Sequence, residues 1–366
     1  MSSTAITSSR LTSGQAPKWL TLAVGIAAIV LGAALSALLG FSIGTWVIFA
    51  GLIFVIVGPV IIGIIEGRRK GTDAFARFLV YGTFLIALIP LVSVLWTVLS
   101  KGIPGLSGGF LFHSMNGVTG VIDNKTVAGN QPIVGGIYHA IVGTLEITLL
   151  ATIISVPIGL LTAIYLVEYA KGGFLSKAIT FFVDVMTGIP SIVAGLFAAS
   201  FFVFVTGTPS TRTGFVAAVA LSVLMIPTVV RNAEEMLRIV PNELREASYA
   251  LGVRKWRTIM KIVIPTAISG IASGVTLAIA RVIGETAPIL VTAGFVNSIN
   301  WNAFSGWMAT LPTYIYYQIM TPTSPTAPQP SETRAWAAAL VLILIVMILN
   351  LIARAIAKAF APKTGR

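Results

Sequence analysis

Eight apolar runs, each long enough to cross a bilayer core as a helix, follow one another along the sequence, at about 19–40, 44–65, 78–100, 137–167, 177–206, 213–231, 263–294 and 335–355. A bilayer leaves backbone groups no water to bond with, so spans of this kind must be helices. The expected fold class is an all-α integral membrane protein of about eight transmembrane helices. Composition agrees: 56% of residues are hydrophobic and 10% are charged, against about 25% charged in a soluble domain. Too few charges remain to cover a water-facing surface.

A net charge of +12 would suggest nucleic acid in a soluble protein. Here the basic residues flank the apolar runs, so they read as topology signals and no nucleic-acid partner is expected. With the N-terminus in the cytoplasm, 19 of the 24 Lys and Arg fall inside and four (Lys101, Lys125, Arg212 and Arg334) outside, with Arg281 inside a span. That asymmetry places both termini in the cytoplasm. Arg10 and Lys18 precede the first run, which is longer than a signal-peptide core and is followed at once by a second, so it is expected as a retained helix. There is no cysteine, which excludes disulfide and thiol chemistry.

Two stretches expected outside are long. Residues 101–136 are Gly-rich and read as irregular loop. Residues 296–334 carry Trp301, Phe304, Trp307, Tyr314, Tyr316 and Tyr317, a density that suggests a helix at the membrane interface, and Thr321–Pro330 reads as extended loop.

Residues 232–265 are the most informative. Pro241 can open a short helix with Glu243 and Glu246 in its first turn, and Leu244, Ala247, Ser248 and Leu251 share one face. Gly252 is a natural helix stop. A second amphipathic stretch follows, with Val253, Trp256, Met260 and Val263 apolar and Arg254, Arg257 and Lys261 basic, up to Pro265. A helix–Gly–helix of this kind suits a groove on another protein and equally suits anionic headgroups.

The residues themselves are more specific. Glu246-Ala247-Ser248, then Gly252 after three residues, then Ile262-Val263-Ile264-Pro265 after nine more, resembles the coupling motif of binding-protein-dependent ABC importer permeases. That pattern reads Glu-Ala-Ala, three residues, Gly, nine residues, Ile-x-Leu-Pro, with Ser248 here for the second Ala and Ile264 for Leu. The resemblance implies that Glu246, Ala247, Ser248, Gly252, Ile262 and Pro265 belong to a loop that inserts into a separate ATP-binding subunit. The chain has no G-x-x-x-x-G-K-[ST] sequence. No cofactor is expected in it, and ATP and Mg are expected in the partner ATPase. No nucleophile–base pair or Gly-x-Ser-x-Gly stretch points to catalysis, and His113 and His139, 26 residues apart with little acid nearby, do not suggest a metal site.

Three further stretches resemble the phosphate permeases of that superfamily: Gly188–Gly195 (GIPSIVAG), Val230–Leu237 (VRNAEEML) and Arg281–Pro288 (RVIGETAP). Ala287-Pro288 favours the PstA type over its PstC-type companion. The resemblance covers about 75–358. It implies a type I importer core of six helices there, an added pair of helices in 1–74, a coupling loop at 232–265 and a cytoplasmic tail at 359–366. The implied partners are a PstC-type second permease, two copies of an ATPase and an external phosphate-binding protein, in a bacterial or archaeal cell membrane. A PstC-type subunit, a permease for another oxyanion, or an ion-gradient-driven carrier or channel are the alternatives.

Ionisable residues inside apolar runs are costly and commonly functional. Arg281 and Glu285 are four apart, on one face of a continuous helix. A guanidinium fork suits a phosphate oxyanion, while Glu285 could accept a hydrogen bond from a phosphate that still carries a proton. The alternative is that the two neutralise each other. Arg231 reads as an interfacial snorkelling residue or as a second basic group on the substrate path. Glu146 and Asp184 are expected to serve structural hydrogen bonds. Pro157, Pro190, Pro227 and Pro288 are expected to interrupt helices, and the Gly270–Gly274 pair to allow close helix packing.

Overall fold

The computed structural model describes residues 16–17, 19–129, 131–170, 172–208 and 211–360, with side chains to 355. Arg10, Lys18, Lys171 and all but the first two residues of the expected tail fall outside them. The chain divides into two compact units, Met1–Thr97 and Val98–Arg366.

In the first unit α1 (Leu20–Leu38) and α2 (Ile43–Glu66) form an antiparallel pair, followed by the start of α3 (Arg68–Gly102). Ser42 caps α2 by accepting from the Thr45 amide at 3.2 Å, and the Trp46 indole N–H donates to the Ile29 carbonyl at 3.0 Å. A small core gathers Val24, Ile62, Ala74 and Phe78. Only 22% and 17% of the most apolar windows of α1 and α2 are buried. Faces so apolar and so exposed suit lipid, not water.

The second unit opens with short helices α4 (Gly108–Phe112) and α5 (Gly120–Gly129), then α6 (Tyr138–Ile164) ending in a π turn at Tyr165–Tyr169. Next come α7 (Phe174–Thr187), α8 (Ser191–Thr206) and α9 (Gly214–Ile239). α10 (Asn242–Ala250), α11 (Lys255–Thr258), a π turn at Ile259–Val263 and α12 (Ile264–Val282) follow. The unit ends with α13 (Ala287–Thr292), α14 (Leu311–Met320) and α15 (Gln329–Phe360). The buried axis is α9, with 61% of its apolar window covered. Ala217, Leu221, Met225 and Val229 pack there against Ile147 and Ala151 of α6 and Ala278 and Val282 of α12. Small residues make this approach possible. A Cβ added at Gly270 or Gly274 would lie 2.2 Å from Met236 Sδ or 2.5 Å from Asn232 Cβ, so the expected close packing is present, between α12 and α9.

Among the described residues seven helices are long and apolar enough to span, and eight if α7 and α8 count as one. The run expected at 177–206 is that pair, bent by 109° at Gly188-Ile-Pro190. Other expectations are corrected. The run 263–294 does not continue as one helix: α12 stops at Val282, and α13 starts only after Gly284. Pro157 and Pro227 lie within unbroken α6 and α9, whereas Pro190 and Pro288 do mark helix starts. Residues 101–136 are not wholly irregular, because Ser107 caps α4, accepting from the Phe110 amide, and α5 follows. In 296–334 the tyrosines ride on α14, with Tyr314 fully buried and therefore in the core, while Trp301, Phe304 and Trp307 sit on irregular chain.

At one end of this unit Asp123 of α5 and Arg334 of α15 form an ion pair with 0% and 1% exposure. The guanidinium also donates to Gln318 Oε1, Thr323 Oγ1, Ser331 Oγ and the Val134 carbonyl. One cation thus ties α5, α14, α15 and the chain around Val134 and Thr323 together, its buried charge matched by a carboxylate.

Candidate functional site

The loop after α9 is built around Arg245. Pro241 turns the chain in extended conformation, and α10 begins at Asn242 with Glu243 in its first turn. From mid-α10 the Arg245 guanidinium reaches back. Its Nε and Nη2 meet Glu168 Oε1 at 3.0 and 2.9 Å, Nη1 donates to the Val240 carbonyl at 2.6 Å and to Asn242 Oδ1 at 3.1 Å, and Nη2 donates to the Leu237 carbonyl at 2.9 Å. The side chains of Arg245 and Glu168 are 12% and 5% exposed. One arginine thus satisfies carbonyls at the C-terminal end of α9 and grips the π turn that ends α6.

Gly252 reverses the chain at φ +75°, its N–H donating to the Tyr249 carbonyl at 2.9 Å. A bulky residue is disfavoured there, because Cβ crowds the carbonyl in the left-handed region. Ser248 and Thr258 share a hydrogen bond at 2.8 Å between α10 and α11, and both are buried. The departure from Ala at Ser248 therefore has a partner. Lys255 Nζ bonds the Glu168 carbonyl and lies 4.9 Å over the Tyr169 ring. Partial desolvation, with the Glu168 charge beside it, raises the Tyr249 phenol above its ordinary pKa although the residue is 41% exposed.

The expected apolar face exists but points away from the protein. Leu244 and Leu251 are 41% and 82% exposed, Ala247 is exposed too, and on that face only Ser248 is buried. In the second stretch Trp256 and Met260 are 53% and 58% exposed while Ile259 and Val263 are buried. Glu246 is exposed, Ile262 half-buried and Pro265 exposed. Pro265 does not end the loop: it lies within the helical run Lys255–Val282, directly after the π turn at Ile259–Val263.

Within the spans the charges divide. Arg231 on α9 pairs with Asp184 of α7 and with Glu234 at 3.0 Å, and Glu234 also takes Arg238 at 2.5 Å. Asp184 has the structural partner expected of it. Glu146 does not, its buried Oε2 being without a hydrogen-bond partner among the described residues. Arg281, in the last turn of α12, contacts the Thr228 hydroxyl at 3.5 Å. Among the described residues no carboxylate pairs with it. Glu285 lies beyond the helix end, its amide bonded to the Val282 carbonyl. The two are therefore not on one helix face and do not neutralise each other.

The sequence reading missed Arg245, Glu168, Lys255 and Thr258. Glu168 is 77 residues from Arg245, and only its position at the end of a long apolar run set it apart.

Comparison with known proteins fits this architecture. Residues 155–366 match the family described as binding-protein-dependent transport system inner membrane component. Over 298 residues the chain is 45% identical to phosphate transport system permease protein PstA 1 of Mycobacterium tuberculosis H37Rv, covering 81% of this chain and 91% of that one. It is 43% identical over 300 residues to PstA of Mycobacterium leprae, covering 82% and 93%, and 35% identical over 292 residues to PstA of Yersinia pestis, covering 80% and 92%. Among solved structures, a chain of a bacterial ABC transporter involved in alginate import superposes with a TM-score of 0.50 at 14% identity, over 80% of this chain and 99% of that one, a likeness of fold. The chain is a multi-pass membrane protein that belongs to the family of binding-protein-dependent ABC transport permeases, in its PstA-type group.

Proposed function

We propose that this chain is the membrane-spanning permease subunit of an ATP-driven inorganic phosphate importer. It forms half of the translocation path and takes its drive from a separate ATPase. The carrying observation is the α10–α11 hairpin: pinned on one side by Arg245 and Lys255, it leaves Leu244, Leu251, Trp256 and Met260 uncovered on the other. An apolar face held out on a rigid turn suits insertion into a groove of a partner. The partners are an ATP-binding subunit dimer holding ATP and Mg, a PstC-type second permease and an external phosphate-binding protein. The hairpin and both termini face the cytoplasm of a bacterial or archaeal cell.

Arg281 is assigned to the translocating anion. Its guanidinium lacks a carboxylate partner among the described residues, whereas the Arg231 charge is matched twice. Glu285 accepts a hydrogen bond from phosphate that still carries a proton, which fully ionised sulfate cannot offer. Sulfate discrimination unchanged in Glu285→Gln would sink that role.

The test is co-purification of the chain with and without Gly252→Trp, with labelled-phosphate uptake. The native chain is expected to bring down an ATPase and a phosphate-binding protein, and the variant to lose the ATPase and uptake. Phosphate transport by the chain alone, or an ATPase indifferent to the variant, would refute the reading.

A further inference from the structure

The α10–α11 hairpin is continuous in the chain with α9 and α12, so any displacement of it reaches those two helices through the backbone. α6 has no such connection. It nevertheless ends against both arms of the hairpin. Arg245 from α10 holds the Glu168 carboxylate, and Lys255 from α11 holds the Glu168 carbonyl and stacks over Tyr169. The Ser248–Thr258 bond fastens the two arms to each other, so they grip as one body. The Glu168 carboxylate is nearly sealed from solvent, and the Arg245 fork is shared with the Leu237 carbonyl of α9 and the Val240 carbonyl just beyond it. A planar, always-charged fork with several fixed acceptors tolerates little relative movement before it loses bonds.

We infer that Arg245 and Glu168 form the joint through which displacement of the hairpin is passed to α6. They are positioning residues: neither meets nucleotide or anion, and their effect is on how much transport each hydrolysed ATP yields. This rests on the coupling role given to the hairpin above. α6 packs along α9 through the core that includes Ile147 and Ala151. A hairpin that carried only α9 and α12 would shear them past α6. With the joint intact the three move together.

The experiment uses the assembled importer in proteoliposomes, reading ATPase capture, ATP hydrolysis and labelled-phosphate uptake. Arg245→Gln and Glu168→Gln are each expected to keep the ATPase bound and hydrolysing within about threefold of native, while phosphate moved per ATP falls at least tenfold. Arg245→Lys, which keeps the charge but not the fork, is expected to fall between. The native chain has no cysteine. A double variant, Glu168→Cys with Arg245→Cys, is therefore expected to be uncoupled, and to regain coupling when a short bis-methanethiosulfonate linker joins the two positions. Uptake per ATP unchanged in the glutamine variants, a parallel fall in uptake and hydrolysis, loss of ATPase capture, or no recovery on linking would each overturn the joint. If instead Gly252→Trp left ATPase capture intact, the coupling role of the hairpin would fail, independently of how Arg245 behaved.

Discussion

Arg334 and Arg281 are both arginines of membrane-associated helices, and the structure treats them in opposite ways. Arg334 is 1% exposed and donates to a carboxylate, a carbonyl and three side-chain oxygens. Arg281 is exposed, with one long contact to Thr228. A saturated guanidinium stabilises a fold and has nothing left for a ligand. An unsaturated one in an apolar helix is costly to the fold and available to an anion. The contrast supports the proposal that Arg334 serves the scaffold and Arg281 the path.

The largest effect is expected at the saturated centre. Arg334→Leu strands Asp123 as a buried unpaired charge and should cost about 3–5 kcal/mol, seen as a large drop in the thermal unfolding midpoint in detergent. Adding Asp123→Leu should return most of it, since replacing both partners by apolar groups is commonly near neutral. Arg281→Gln should do the reverse, leaving the midpoint within about 1 kcal/mol of native and cutting phosphate uptake at least about tenfold, the rate equivalent of a lost charge-assisted bond. A midpoint shift as large as that of Arg334→Leu would erase the distinction. Arg231→Gln belongs between them. Its partners Asp184 and Glu234 remain, but the pair with Asp184 is partly exposed, so a loss of about 1 kcal/mol is expected. An effect on stability comparable to that of Arg231→Gln is expected for Ser248→Ala, about 0.5–1.5 kcal/mol for the bond to Thr258, with Thr258→Val on that background adding little if the two act only as a pair.

The spans were legible because a bilayer demands a long apolar run and little else reads that way. Seven of the eight expected runs have their own long helix, and the eighth is bent at the Gly-Ile-Pro that marks it in the sequence. Ends were less legible. Gly284 and Pro288 stand inside the run 263–294, but an apolar run hides a helix stop, so spacing alone puts Glu285 on the face of Arg281. The amphipathic faces of 242–258 were legible as faces, not as inside or outside. The apolar side is left uncovered, and the side that faces the protein is held by Arg245 and Lys255, two cations that both reach Glu168, 77 and 87 residues earlier. Likewise Ser107 in a Gly-rich stretch gave little warning of a capped helix. No local pattern announced the Asp123–Arg334 pair, whose members are 211 residues apart.

The π turn at Ile259–Val263 has a consequence for insertions and deletions. A π turn holds one residue more than the α-helical turn it replaces, and one residue corresponds to about 100° of rotation about the axis. The extra residue is therefore taken up inside the turn, and α11 keeps the facing it would have on an ordinary helix. A residue removed from Ile259–Val263 would leave Trp256 on the open face and Lys255 over Tyr169, whereas one removed from the ordinary helix of α12 would swing the hairpin by roughly that angle. A single-codon deletion would thus act as a rotation of the hairpin only outside the π turn, where no spare residue absorbs it.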